Sequence, residues 1–359
     1  MTDLLYSPEE DALRTTVRQA VAERSPLSRV LADVEKGEAY DQGLWRTLAG
    51  EMGLAGMALP EHLGGGGAGL REVAVVLEEL GRGLAPIPFL SSAVVATTAL
   101  MAGDDESELL AKLAAGNAIA VLAVPYATSP GALPPPLEVS GGTVTGEVRG
   151  VADGLAADVL LVVAREGLFA VDATADGVQR TPSGSLDLTR PLADLSFTGA
   201  AARRVTADVS VVSQALTVGA ALLASEQLGV AEWCLETTVE YLKVRHQFGR
   251  PVGSFQALKH RLADVWVELT QARAVARYAA ACADTSDPDL PVAASLAQAF
   301  CGPAAVTAAE ECVQLHGGIG FTWEHPAHLF LKRAKSSALA CGTADRHRQL
   351  LATLVDLPS

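Results

Sequence analysis

The sequence predicts an α+β protein with three domains: an N-terminal helical domain, a middle antiparallel β-barrel domain and a C-terminal four-helix bundle. Three observations predict this fold class. The chain has 359 residues, which exceeds what one hydrophobic core usually serves. Apolar residues make up 49% and charged residues 19%, enough for a large interior and for subunit contact. The hydrophobic period is helical at both ends and strand-like between them, which places the domains at 1–118, 119–206 and 207–359.

The N-terminal domain is predicted to contain five helices. Ser7 precedes Pro8 and two glutamates, which favours a helix start, because serine accepts a hydrogen bond from a free backbone N–H and proline tolerates the first position. The predicted helices cover 8–21, 41–52, 70–80, 90–101 and 107–115. The glycine-rich stretch 59–70 is predicted as a flexible loop, since it lacks the preceding strand and the Gly-Lys-Ser/Thr ending of a phosphate-binding loop.

The middle domain is predicted from short β-rich runs separated by glycine, proline and aspartate. The predicted strands cover 118–124, 137–139, 142–148, 158–164, 168–171 and 194–197. Their spacing indicates a small antiparallel barrel of about six to eight strands.

The C-terminal domain returns to a helical period. The predicted helices cover 213–248, 254–283, 291–315 and 328–338, with a last helix from Thr343. Helices of about 30 residues span roughly 45 Å, a length that suits an antiparallel four-helix bundle with an oligomer interface.

Composition argues against several classes of function. The net charge of −15, without a basic block, argues against nucleic acid and anionic membrane as partners. The N-terminus lacks the apolar core of a signal peptide, and the most apolar window, 88–102, is too short to span a bilayer. The five cysteines are scattered without a CxxC motif, so we expect buried thiols in a reducing cytoplasm and no metal site.

The junction 241–256 is the stretch where binding chemistry is first indicated. Arg245 is expected at the end of one bundle helix, near Phe248, and Gln256 at the start of the next. A guanidinium group beside free backbone N–H groups at a helix junction suits a pyrophosphate. Taken alone, however, these residues fit an ordinary helical hairpin with a solvated arginine better than they fit a pyrophosphate site.

Four motifs carry a resemblance to the acyl-CoA dehydrogenase family. The segment 241–264 closely resembles the family signature YxxxRxQFGxPIxxFQxxxHxLAD, and QLHGGIGFT at 314–322 resembles its QxxGGxGFT turn. LPEHLGG at 59–65 and LEELG at 77–81 resemble the N-terminal PExxGG and LEELG signatures. The resemblance spans essentially the whole chain. It implies the same domain order and FAD-dependent α,β-dehydrogenation of an acyl-CoA thioester, in which a carboxylate removes the α-proton.

Neither position that carries this carboxylate in the family holds one here. In most members the glutamate lies in a YEGT-like segment near the C-terminus, and the matching segment, 340–343, places Cys341 there. A second group keeps the glutamate in the first bundle helix, at the position of Gly219. The nearest acid, Glu226, lies about two turns further on. A thiol with an ordinary pKa near 8.5 matches this proton poorly, so we expect no catalytic base in this chain.

The resemblance divides the FAD site into two halves. The TEPxAGSD-like segment that holds the flavin ring in the family corresponds to LAVPYATSP at 122–130, which lacks both the TEP triplet and the Gly-Ser turn. The half that a neighbouring subunit donates to the pyrophosphate and adenosine is intact. The resemblance assigns this half to Arg245, Phe248, Gln256, Gln314, Gly317 and Gly318. Phe248 fits a core position equally well, and His260, which also matches the signature, is expected to pack.

The chain therefore resembles the non-catalytic subunit of heteromeric α2β2 acyl-CoA dehydrogenases of actinobacterial sterol catabolism. The 332–335 and 345–348 runs add to this resemblance, although a solvated C-terminal helix also explains them. The resemblance to this subunit implies a homologous base-bearing partner, an acyl-CoA substrate for the complex and an electron-transfer flavoprotein as electron acceptor. Two alternatives remain open: a self-sufficient homo-oligomeric dehydrogenase using Cys341 or Glu226, and a non-enzymatic scaffold of the same fold.

Overall fold

The computed structural model describes residues 4–38, 40–104 and 106–356. Its N-terminal part is helical, as predicted. The helices are α1 (Pro8–Arg24), α2 (Leu27–Lys36), α3 (Gln42–Trp45), α4 (Leu70–Arg82), α5 (Thr97–Met101) and α6 (Ser107–Ala114). The segments Arg46–Glu51 and Phe89–Ala96 have the wider π-helical hydrogen bonding and join α3 and α5 to make up the helices predicted at 41–52 and 90–101. Helix α2 was not predicted.

The start of α1 follows from its sequence. Ser7 Oγ accepts from the Glu10 backbone N–H at 3.1 Å, and the Glu10 carboxylate accepts from the Ser7 N–H at 2.7 Å. These two bonds form a capping box, which satisfies backbone donors that have no partner within the helix. Pro8 occupies the first position, where its missing N–H costs nothing.

The middle domain contains eight strands in two four-stranded sheets. The strands are β1 (Ala120–Ala123), β2 (Glu138–Ser140), β3 (Thr143–Ala152), β4 (Val159–Ala164), β5 (Gly167–Asp172), β6 (Val178–Ser183), β7 (Leu192–Ala201) and β8 (Arg203–Thr206). One sheet has the order β1-β4-β5-β8 and the other β2-β3-β7-β6. A cluster of buried side chains that includes Val144, Leu160 and Phe197 forms the core of this domain.

The expected all-antiparallel barrel is corrected in one respect. β1 pairs in parallel with β4, from Ala120 opposite Val159, while the other strand pairs of the two sheets are antiparallel. A parallel pair needs a crossover connection, and here the chain passes through β2 and β3 of the second sheet before it returns as β4. The sequence pattern missed β6 and β8 because neither strand has the alternating apolar residues that predict a strand: the sequences VQRTPS and RRVT each contain a single valine among polar residues, with a proline in VQRTPS.

The C-terminal part forms the predicted bundle. Its helices are α7 (Ser210–Val244), α8 (Gln256–Asp284), α9 (Leu290–His316), α10 (Ala327–Ser337) and α11 (Ala344–Leu354). By length and composition, α7 and the stretch Leu290–Phe321 are apolar enough to cross a membrane, but 83% and 61% of their most apolar windows are buried inside the fold. Burial of this kind is expected for the central helices of a bundle.

The predicted extension of the first bundle helix to residue 248 is wrong. α7 ends at Val244, and the chain forms a short hairpin from β9 (His246–Gln247) and β10 (Arg250–Pro251). Phe248 and Gly249 form its two-residue turn, with φ of 53° and 77°. Positive φ at both positions is the geometry of tight hairpin turns, because its twist matches the strands. Phe248 is thereby lifted away from the bundle.

Candidate functional site

Six predicted cofactor residues lie on the surface of the bundle, where α7 and α9 end and α8 begins. We call them the α7/α9 face: Arg245, Phe248, Gln256, Gln314, Gly317 and Gly318, all exposed. The structure links the two parts of this face through Tyr241 and His316, whose rings stack with centroids 4.4 Å apart. The motif residue His260 is exposed as well, which contradicts the expectation that it packs.

Phe248 is the most solvent-exposed large apolar side chain among the described residues, with 89% of its surface accessible. The expectation that it might belong to the core is therefore wrong. Its ring meets Phe255 edge-on at 6.1 Å, and the Arg250 guanidinium lies 3.9 Å over the Phe255 ring. Phe321, beyond the glycine turn, is also 70% exposed. Aromatic side chains presented in this way mark a surface that contacts another molecule.

The three glycine positions of this turn differ in whether the fold itself requires glycine there. Gly317 has a φ of +64°, a conformation that favours glycine. Gly320 faces inward, and a Cβ there would lie 2.6 Å from the Val313 carbonyl oxygen. Gly318 has neither reason, because its φ is not positive and a Cβ would meet nothing within 4 Å. The fold therefore does not require glycine at position 318. A glycine there leaves the backbone uncovered, which allows close approach by an external group such as a phosphate.

The two positions that the sequence resemblance assigns to the catalytic glutamate, Cys341 and Gly219, lie in the interior. Cys341 is buried and has a positive φ of 55°. Its backbone N–H donates to the Tyr126 carbonyl at 3.1 Å, and its carbonyl lies 2.9 Å from His347 Nε2. Burial raises the pKa of the Cys341 thiol to about 12. The thiol therefore stays protonated near neutral pH.

Gly219, the second position, lies on α7 against the segment Phe89–Ala96. A Cβ at Gly219 would lie 2.7 Å from Val95 Cγ2. No side chain fits at this position without moving Val95.

The interior space beside Cys341 is small. A cavity of about 60 Å³ lies between Leu90, Tyr126, Arg190 and Cys341. Sites for small molecules and cofactors are usually about 300–1,000 Å³. The residues of this chamber thus do not fit a flavin ring together with an acyl group. The α7/α9 face, by contrast, presents an exposed guanidinium group and exposed glycine backbone, which are groups of the kind that can contact a phosphate.

A buried ionic network lies next to the chamber and was not predicted. Glu226 pairs through one carboxylate oxygen with Arg190 and through the other with Arg333, whose Nη1 lies at 3.1 Å. All three side chains are at least 93% buried. Burial disfavours the charge on Glu226, but the two guanidinium groups outweigh it and keep the Glu226 pKa below its usual range. Glu226 is consequently ionised and weakly basic.

Arg333 also ties the bundle to the middle domain. Its Nε donates to Asp187 Oδ2 at 2.6 Å, and its Nη2 donates to the Thr189 carbonyl at 2.9 Å. Arg333 is only 1% exposed. The alternative that the charged residues at 332–335 belong to a solvated helix is therefore wrong for Arg333. The sequence signal was present in Asp187-Leu-Thr-Arg190, a polar cluster in an apolar chain, but its partners were not identifiable.

Family models and a curated relative both match this chain to acyl-CoA dehydrogenases. Residues 7–117 match the family model "Acyl-CoA dehydrogenase, N-terminal domain", and residues 209–355 match "Acyl-CoA dehydrogenase, C-terminal domain". The acyl-CoA dehydrogenase IpdE2 of Mycobacterium tuberculosis is 39% identical over 332 residues, which cover 92% of each chain.

Solved structures are similar over nearly the full length. A chain of the ChsE4-ChsE5 complex from Mycobacterium tuberculosis superposes with a TM-score of 0.88 and 29% identity, covering 100% of both chains. A chain of the Tcur3481-Tcur3483 steroid ACAD, a G363A variant, gives a TM-score of 0.87 and 32% identity, covering 97% of this chain and 98% of that one.

Proposed function

Since this chain belongs to the acyl-CoA dehydrogenase family, we propose that it is the accessory subunit of a heteromeric, FAD-dependent acyl-CoA dehydrogenase. It completes the FAD site of a homologous partner that carries the catalytic glutamate, in an α2β2 assembly. The substrate of the complex is an acyl-CoA derived from a sterol, and the electron acceptor is an electron-transfer flavoprotein.

One contrast carries the proposal. The residues that the family donates to a neighbouring FAD are exposed on the α7/α9 face, whereas the chamber that would hold this chain's own flavin and substrate measures about 60 Å³. When FAD is bound, it supplies the hydride acceptor of the family reaction. In this chain, Arg245 and the backbone at Gly317 and Gly318 would hold its pyrophosphate, and Phe248 would pack against its adenosine part.

Two observations weigh against a self-sufficient enzyme. Burial keeps the Cys341 thiol protonated, and both carboxylate oxygens of Glu226 accept hydrogen bonds from Arg190 and Arg333. A general base needs a free lone pair and a pKa near the working pH. The heteromeric nature of two similar structures, ChsE4-ChsE5 and Tcur3481-Tcur3483, supports a partner subunit.

The test is the flavin stoichiometry of a purified complex. The chain is expressed alone and together with a base-bearing homologue, and FAD is quantified by absorbance after denaturation. We expect little flavin in the isolated chain and two FAD per four chains in the complex. Four FAD per four chains would favour a self-sufficient enzyme, and a complex without any FAD would favour a scaffold.

A further inference from the structure

A stack of three rings lies directly behind the α7/α9 face. The centroids of the Tyr241 and His316 rings are 4.4 Å apart with an interplanar angle of 24°. The centroid of the His325 ring lies 4.4 Å from that of His316, and the two imidazole rings are tilted by 35°. Tyr241 belongs to α7, His316 ends α9, and His325 follows the glycine turn. Three separate segments of the chain therefore meet at one imidazole ring.

His316 is held in a single orientation. It is 3% exposed, and its Nδ1 lies 2.7 Å from the Cys312 carbonyl oxygen, one helical turn back. Because a carbonyl can only accept, Nδ1 carries the hydrogen. Nε2 is buried without a hydrogen-bond partner among the described residues. A phenyl ring would stack equally well without leaving a buried nitrogen unpaired, so the two roles of this side chain can be separated by substitution.

The stack connects the two parts of the α7/α9 face. Tyr241 lies one helical turn before Arg245, whose backbone N–H donates to the Tyr241 carbonyl at 2.9 Å. His316 immediately precedes Gly317 and Gly318. A displacement of the His316 ring relative to the Tyr241 ring therefore changes the distance between the arginine and the glycine backbone.

We infer that the Tyr241–His316 stack positions the two parts of the α7/α9 face relative to each other for one dinucleotide. This inference rests on the proposed function. His316 and Tyr241 are positioning residues, since they lie behind the exposed groups that would contact the phosphates. A preorganised pair of sites binds its ligand more tightly because less ordering is required on binding.

The experiment uses the complex co-expressed with the base-bearing homologue. The variants are His316→Ala, which removes the stack, and His316→Phe, which retains a ring. FAD dissociation constants are measured by flavin fluorescence titration of the deflavinated complex, alongside its mass by light scattering. We expect His316→Ala to weaken FAD binding about fivefold, the range of one aromatic pair, and His316→Phe to stay within about twofold of the wild type.

Two controls separate positioning from general stability. His347 is also a buried histidine close to a backbone carbonyl, but it lies on α11 beside Cys341. His347→Ala should lower the melting temperature and leave FAD affinity unchanged. If His316→Ala does not assemble, Tyr241→Leu and Tyr241→Phe test the same stack from its other ring, with loss expected only for leucine.

The outcomes are distinguishable. Equal FAD affinity in the wild type and in His316→Ala would overturn the positioning role alone. Equal weakening by His316→Ala and His316→Phe would overturn it too, because the Nδ1 hydrogen bond would then be the cause. A wild-type complex that contains no FAD would overturn the proposed function and this inference together.

Discussion

Arg333 of α10 holds Glu226 of α7 in the interior, with Nη1 and Oε1 3.1 Å apart and both side chains at most 3% exposed. Charges buried to this degree are costly unless paired, and Glu226 is paired a second time by Arg190. The pair connects the bundle to the loop before β7 through Asp187, which also accepts from Arg333. An acid that the sequence offered as a candidate base is thus part of a structural network.

Replacing Arg333 with methionine should destabilise the protein strongly. The substitution preserves much of the side-chain volume but leaves Glu226 and Asp187 with one charged partner fewer, and breaking a buried pair in this way costs about 3–5 kcal/mol. The free energy of unfolding is measured by urea denaturation of the complex. Arg348→Met is the matched control, because its ion pair with Asp345 is exposed and should contribute less than about 1 kcal/mol. Equal effects of the two substitutions would contradict the assignment.

Cys341→Ala should leave the dehydrogenase activity of the complex within about twofold of the wild type. The thiol is protonated because burial raises its pKa to about 12, so it does not act as a base near pH 7. General bases typically contribute about 100- to 10,000-fold to a rate. Steady-state kcat/KM with an acyl-CoA substrate provides the measurement. A loss of about 100-fold, with flavin content unchanged, would show that the thiol takes part in the reaction.

Gly318→Ala should lower the FAD content of the complex without reducing its stability. The added methyl group would meet nothing within 4 Å inside this chain but would occupy the space through which a phosphate approaches the backbone. FAD per complex and the melting temperature are measured on the same preparation. Gly320→Ala is the matched control two residues away, where the Cβ would lie 2.6 Å from the Val313 carbonyl oxygen. There we expect a lower melting temperature, and full FAD content in Gly318→Ala would contradict the phosphate role.

The stability of the protein should fall between pH 6.5 and pH 4 in a way that depends on His325. Burial, together with the charges of His316 and His328, lowers the His325 pKa from 6.5 to about 4. Between these values the unfolded chain binds more protons at this histidine than the folded chain does. Stability from the neutral ring is therefore present above pH 6.5 and is lost as the pH falls towards 4.

The measurement is the melting temperature at pH 7 and pH 5 for the wild type and His325→Gln. Other titrating groups contribute to both proteins, so the difference between the two pH dependences isolates His325. We expect a smaller loss in the variant. An identical loss in both would show that this histidine does not titrate as described.

The secondary structure of the bundle was predictable because it is local. The helical period of α7, α8 and α9 is sustained over 27 to 35 residues, and the capping box at Ser7 is contained in four consecutive residues. The end of α7 was misplaced by four residues, from 248 to Val244. The hairpin turn at Phe248 and Gly249 depends on backbone conformation that is weakly encoded for phenylalanine, which rarely adopts positive φ.

The sequence by itself determined the identity of the residues at the family's functional positions. The resemblance assigns Cys341 and Gly219 to the two carboxylate positions because each is located by its distance from a nearby motif, and this assignment stays a prediction. The six residues of the α7/α9 face were assigned in the same way, and their role in FAD binding also stays a prediction. Where a motif position is defined by neighbouring residues along the chain, their spacing is sufficient to locate it in the sequence.

Only the tertiary structure decided what surrounds those residues. Glu226 meets Arg190 across 36 positions of sequence and Arg333 across 107, and nothing in the local pattern of any of the three indicates the other two. The size of the chamber beside Cys341, the exposure of Phe248 and the stacking of Tyr241 on His316 likewise depend on how separate helices pack. Burial and ion pairing are properties of non-local contacts, so they set the charge on Glu226 and the pKa of Cys341 in ways that residue identity does not.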